Sequence, residues 1–214
     1  ASDVYKRQDL ETVIMTFYIL RIILLILILA VIYFFFHAVA ECSTKKSAII
    51  GAVFSIVITT AVSMFPPENL VTDFSSPENA FKYFCAGEIE EIIYGNDSCL
   101  VVYSDSQGTF KDCVFLKSGA DYKLPLYFSR SRVAHVFTQN GLFNTYKVSG
   151  TSDYYVQGSV STETAGNIGV FDGNGNNINT NVIRIAHTGF IYFHLGSFKD
   201  DYYLVSDGET QPLG

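Results

Sequence analysis

The chain has 214 residues, and its 21 Asp plus Glu outnumber 14 Lys plus Arg for a net charge of −7. The 149 residues from Pro66 onward hold 17 acidic and 9 basic side chains with no basic cluster, a surface that repels phosphate backbones and argues against nucleic-acid binding. Four cysteines without a CxxC or a Cys/His pair at zinc spacing argue against both a structural zinc site and a disulfide framework.

Residues Asp3 to Gln8 (Asp-Val-Tyr-Lys-Arg-Gln) resemble one reading frame of a sequencing-library adapter. Residues 1–14 are therefore expected to be an artefact or a disordered N-terminus, with Met15 as the true start. Two uncharged apolar stretches follow, Ile22 to Phe36 extended by Ala38 to Ala40, and Ala48 to Phe65. A helix crosses about 30 Å of hydrocarbon with roughly 20 residues, so the pair predicts two transmembrane helices at about 16–40 and 48–65. A signal peptide fits less well, because a second apolar span follows at once.

Lys45 and Lys46 lie in the predicted connecting loop, 41–47, and the exit after Phe65 is acidic (Glu68, Asp73, Glu78). The positive-inside rule then makes the loop cytoplasmic and the large domain extracytoplasmic. Arg21 with the amino terminus is a competing positive cluster that favours the inverse arrangement. Arg21 is expected to snorkel to the interface, and His37 after Phe34-Phe35-Phe36 to sit in an aromatic belt. Gly51 and Ser55 have the small-xxx-small spacing of packing helices.

Pro66-Pro67 ends the second helix, because proline lacks the amide donor. Residues 66–87 read as a linker and one short helix: Ser76 as cap, Pro77 at the first helical position, Glu78 in the first turn, then Ala80, Phe81, Phe84 and Cys85 on one face, with Gly87 as the stop. From 88 to 214 the period changes from 3.6 to 2 with turn residues every eight to twelve positions, which predicts an antiparallel meander or sandwich. Candidate strands are Glu88 to Tyr94, Ser98 to Tyr103, Thr109 to Leu116, Tyr122 to Leu126, Arg132 to Thr138, Leu142 to Val148, Tyr154 to Ser161, Asn167 to Asp172, Val182 to Ala186, Phe190 to Leu195 and Tyr202 to Val205. Pro125 makes its strand an edge or a bulge. The strongest internal break is Ser149 to Asp153, a possible subdivision, although 64 residues of β-structure beyond it would be marginal alone.

Cys99 and Cys113 fall on neighbouring predicted strands, so register decides whether they meet. A three-residue loop would set them opposite each other, whereas a two- or four-residue loop would send Cys113 to the other face, opposite Leu100. Buried thiols are the expectation.

No residue set reaches a catalytic signature. Asp172, Asn174 and Asn176 match positions 1, 3 and 5 of a calcium loop, but Asn177 and Ile183 stand where Gly and a bidentate acid are needed, so a hairpin turn is the favoured reading and a weak cation site the other. His135, His187 and His194 have no metal spacing. No Ser occupies a nucleophile elbow, and Glu88 with Glu90 reads as a solvated edge rather than a glycosidase pair. Asn96-Asp97-Ser98 is a formal glycosylation sequon within a turn. In the doublets Tyr154-Tyr155 and Tyr202-Tyr203, one ring faces inward and one outward.

The strings Pro-Glu-Asn-Leu at 67–70, Ser-Ser-Pro-Glu-Asn-Ala-Phe at 75–81 and Gly-Asn-Asp-Ser-Cys-Leu-Val-Val-Tyr at 95–103, with the tyrosine-rich tail, resemble uncharacterised membrane-anchored proteins of Gram-positive gut bacteria known from metagenomic sequence. That resemblance lends no activity. The leading reading is a cell-membrane protein with two spans and an extracytoplasmic β-domain that acts as an interaction or sensing module. Its partners would be the lipid bilayer and a protein, peptide or glycan, with no cofactor and no enzymatic role. The alternatives are a structural or assembly subunit of a membrane complex and, third, an extracytoplasmic hydrolase.

Overall fold

The computed structural model describes residues 19, 21–23, 25–39, 44–64, 66–70, 72–126, 129–139, 141–160, 168–185 and 189–213. The adapter-like segment, Met15 and His187 lie outside them. Helix α1 carries the apolar window Arg21–Ala38, with a mean hydropathy of 2.5, and its last turn, Phe35–Val39, widens to π geometry. It is long and apolar enough to cross a membrane. Helix α2, Thr44–Met64, has 21 residues, but its apolar run Ile49–Val62 is shorter than a full span. Of the two predicted spans, one therefore meets the length and hydropathy needed. Lys45 and Lys46, expected in the loop 41–47, form part of the first turn of α2.

A 3₁₀ turn, Pro67–Leu70, leads to α3, Pro77–Phe84. The Ser76 side chain accepts the Asn79 amide and Pro77 opens the helix, so the capping read from the sequence is realised. Ala80 and Phe81 are buried, and Phe84 packs edge-on against Phe115. The backbone is extended at Cys85, and a short link leads to the first strand. Gly87 in that link has φ +151, and a Cβ there would strike the Ser104 carbonyl, so only glycine fits.

Among the described residues twelve strands follow in three antiparallel sheets. The first sheet has order β1 (Glu88–Tyr94), β2 (Ser98–Ser104), β3 (Phe110–Ser118), β4 (Asp121–Lys123). The second runs β5 (Arg130–Thr138), β6 (Gly141–Val148), β7 (Tyr154–Val160), β10 (Phe190–Leu195), β9 (Ile183–Arg184), and the third β12 (Glu209–Pro212), β11 (Tyr203–Ser206), β8 (Ile168–Phe171). Ser149 to Asp153, the internal break of the sequence, is the turn between β6 and β7, which pair in one sheet from Gly141↔Val160 to Lys147↔Tyr154.

Alternation along each strand distributes three cores. Phe81, Cys85, Cys99, Val101, Phe115 and Leu124 fill the space between α3 and the first sheet. Ile93, Leu100, Val102, Val114, Val148, Tyr155 and Tyr192 join the first sheet to the second. Phe143, Val156, Val170, Ile191, Phe193, Leu195 and Leu204 join the second to the third. The domain is thus four layers, α3 and three sheets, with the second sheet buried on both faces where β7 and β10 lie.

Three strands differ most from the sequence reading, one of them Val182 to Ala186, of which Ile183–Arg184 forms β9. Tyr122 to Leu126 contracts to Asp121–Lys123, because Pro125 supplies no ladder donor. Strand β12 was not anticipated, although Asp207-Gly208 precedes it with φ of 51 and 85, the paired positive angles of a tight hairpin.

Candidate functional site

The second sheet presents one face to the first, and that face has two halves. Its β7–β10 half is covered by the first sheet and holds Tyr155, Tyr192 and His194, all buried. The register of β5 and β6 places Arg132 beside Tyr146, His135 beside Asn144 and Phe137 beside Leu142 on the same face. Here the first sheet has ended. Strand β4 pairs only with Leu116 to Ser118 of β3, so among the described residues no strand pairs with 110–115 on that side, and the β5–β6 half is left uncovered where Arg132, His135 and Phe137 are exposed.

The buried half centres on Asp153, whose side chain has no exposed surface. Its Oδ1 accepts the Asn96 amide at 2.8 Å and lies 2.8 Å from His194 Nε2; its Oδ2 accepts the Asp97 amide at 2.8 Å and the Ser98 hydroxyl at 2.6 Å. The Tyr155 hydroxyl lies 3.0 Å from the same Ser98 oxygen. Burial opposes the carboxylate charge, but the His194, Ser98 and amide hydrogen bonds outweigh it and hold its pKa down to about 2. Burial also pushes the Tyr155 hydroxyl well up, so it remains a neutral donor. Gly95 is required here for space, because a Cβ would sit 2.6 Å from Asp153 Oδ2 and 2.7 Å from the Tyr155 hydroxyl.

Ser, Asp and His thus converge, but not as a nucleophilic relay. Ser98 and His194 bind opposite oxygens of one carboxylate, and the hydroxyl donates to the acid instead of to an imidazole base. The arrangement clamps the β1–β2 turn of the first sheet onto β7 and β10 of the second. Sequence reasoning singled out His194 and passed over Asp153; a lone Asp beside a turn carries no local sign of a partner 41 residues away.

The uncovered half carries different chemistry. Val133 is the extra residue of a bulge in β5 and is 41% exposed, and Phe137 is 67% exposed. His135 Nδ1 lies 2.7 Å from Asn144 Oδ1, and its ring meets Phe137 edge-on at 4.5 Å. At the boundary between halves Arg130 pairs with Asp112 of β3 and lies over the Tyr146 ring at 5.0 Å. Next to it a cleft of about 260 Å³ is lined by Arg21, Phe84, Asp112, Cys113, Leu126 and Arg130, among others.

The other predicted residues lie elsewhere. Asp172 Oδ1 accepts the Asn174 and Asn176 amides and Oδ2 accepts the Asn176 side-chain amide, so the carboxylate caps its own loop and is held below the usual carboxylate range by those bonds. Among the described residues no three His, Cys, Asp or Glu side chains converge as metal ligands. Glu90 accepts from Ser104 at the exposed bulge of β1. The β2–β3 loop has five residues, longer than any considered from the sequence, and sets Cys113 opposite Val101, two positions along from Cys99. The two thiols therefore share the α3-facing side without being opposite each other, and the sulfur next to Cys113 is that of Cys85, 3.7 Å away. Burial pushes the Cys99 thiol up to about 12 and the Cys113 thiol well above its ordinary value. The chain matches no family model, no curated protein and no solved structure.

Proposed function

We propose that this chain is a membrane-anchored, extracytoplasmic binding module, held by two spans and engaging a peptide, protein or glycan through the uncovered β5–β6 face. The observation that carries the binding role is the stripe Val133, His135 and Phe137, apolar and aromatic groups left in solvent beside hydrogen-bonding Asn144 on a sheet whose other half is sealed. Exposed aromatic surface next to polar groups is the composition of a recognition surface.

The anchor is supported by the helices. None of the apolar window of α1 is buried, and Val31, Phe34, Ile49, Ile56 and Val57 are exposed. Arg21 supports the extracytoplasmic orientation, because its guanidinium pairs with Glu68 at 3.2 Å and donates to the Val62 carbonyl at the domain-side end of α2. With that charge engaged, Lys45 and Lys46 at the opposite end are the cations available to the positive-inside rule.

The test uses the full chain in detergent micelles on peptide and glycan arrays, with Phe137→Asp as the variant. Ligands that bind the parent and are lost by a variant with unchanged melting support the face. Ligands retained in full by the variant overturn it. Protease added to intact cells should remove the β-domain; protection there, with cleavage after lysis, overturns the orientation.

A further inference from the structure

We infer that Cys85 and Cys113 are a disulfide-forming pair that ties the exit of α3 to β3 of the first sheet. Their sulfurs are 3.7 Å apart and both thiols are free. Bonding brings them to about 2.0 Å, a closure of under about 2 Å. The chain can supply it at Cys85, which follows the last turn of α3 in extended backbone and precedes β1 by a short link. Cys113 is partly buried and lines the cleft together with Phe84 and Arg130, so that cleft is the side from which a reagent would approach the pair.

Cys99 is the competing partner, and register excludes it. Cys99 pairs with Phe115 and Cys113 with Val101, which makes the two cysteines diagonal neighbours across β2 and β3. Diagonal positions lie roughly 7–8 Å apart, beyond the usual Cα span of a disulfide.

The oxidant is a disulfide, either a small one such as glutathione disulfide or that of a thiol oxidoreductase. One cysteine, as thiolate, attacks an oxidant sulfur and releases one thiol, leaving a mixed disulfide. The second cysteine, losing its proton, attacks the protein sulfur of that mixed disulfide and releases the other thiol. The pair gives up two electrons and two protons, and the oxidant becomes two thiols.

The product closes a loop across residues 85–113 and should raise the melting midpoint by about 10 °C over the reduced chain. Formation of the bond in cells rests on the extracytoplasmic reading, because the cytoplasm keeps thiols reduced; the pairing itself does not.

The experiment equilibrates the full chain in detergent micelles with glutathione disulfide, alkylates remaining thiols, and maps peptides by mass spectrometry without reduction. A peptide linking Cys85 to Cys113, with Cys99 alkylated, is the expected result; Cys99→Ser should keep the link and the higher midpoint, and Cys85→Ser should lose both. Absence of the link in the parent chain, or a Cys99–Cys113 link in its place, overturns the inference. A second arm alkylates intact cells before lysis. A linked pair there supports both readings, whereas a pair linked in micelles yet fully alkylated in cells overturns the extracytoplasmic placement and leaves the pairing intact.

Discussion

Two histidines on the same face of the same sheet have opposite surroundings. His194 on β10 lies under the first sheet, 4% exposed, and shares the Asp153 carboxylate with three further donors. His135 on β5 lies past the edge of that sheet, bonded to one amide side chain and otherwise in solvent with Phe137. A buried polar group must be satisfied within the protein, and a carboxylate taking four donors is the form that satisfaction takes here. An exposed group has water as its alternative partner. The same residue type on the same face is therefore a structural tie in one half and a contact available to a ligand in the other.

The comparison is tested most severely at Asp153. Asp153→Ala leaves His194, Ser98 and two amides without their acceptor in a sealed layer, and should destabilise the full chain in micelles by about 3–5 kcal/mol in urea melts followed by near-ultraviolet circular dichroism. A loss under about 1 kcal/mol would show that the two sheets are held by apolar packing alone.

Acid should act on the same half with a smaller effect. The Asp153 carboxyl is held at about 2 in the folded chain against an ordinary value of 3.8. Because the folded value is the lower one, the contribution is complete above the ordinary value and is lost as pH falls from there through about 2. Melting midpoints should drop across that window in the parent and more shallowly in Asp153→Asn. Parallel curves for the two would separate the acid response from this carboxylate.

The uncovered half should respond least. His135→Ala and Phe137→Ala remove groups already in solvent and should each cost under about 1 kcal/mol, while array binding by the parent is reduced in both. A loss of several kcal/mol in either would mean that the face packs against another part of the protein in micelles, which would end its role as a recognition surface.

Much of the first two sheets was legible strand by strand. Period-2 alternation found β1, β2, β6, β7 and β10 to within two residues, since the side-chain period of an extended backbone is local. The Ser76–Pro77–Glu78 start of α3 was legible for the same reason: a cap and a fixed proline φ act within one turn. Of the site, His135 and His194 could be named from the sequence but not told apart. Both sit in aromatic-rich strands, and nothing within a few residues of either records which sheet lies above it.

The sequence by itself determined the apolar length of α1, the mainly-β character of the remainder, the cap of α3 and the prolines that end α2 and shorten β4. These follow from hydrophobic period, missing amide donors and preferred backbone angles. Tertiary structure alone decided that the first sheet covers β7 and β10 and stops short of β5, that Asp153 meets His194, and that Cys113 faces Cys85 instead of Cys99. Those outcomes depend on loop length, register and the stacking of layers, which join residues 28 to 57 positions apart. No local preference reaches that far, because a one-residue change of register moves every side chain of a strand to the opposite face.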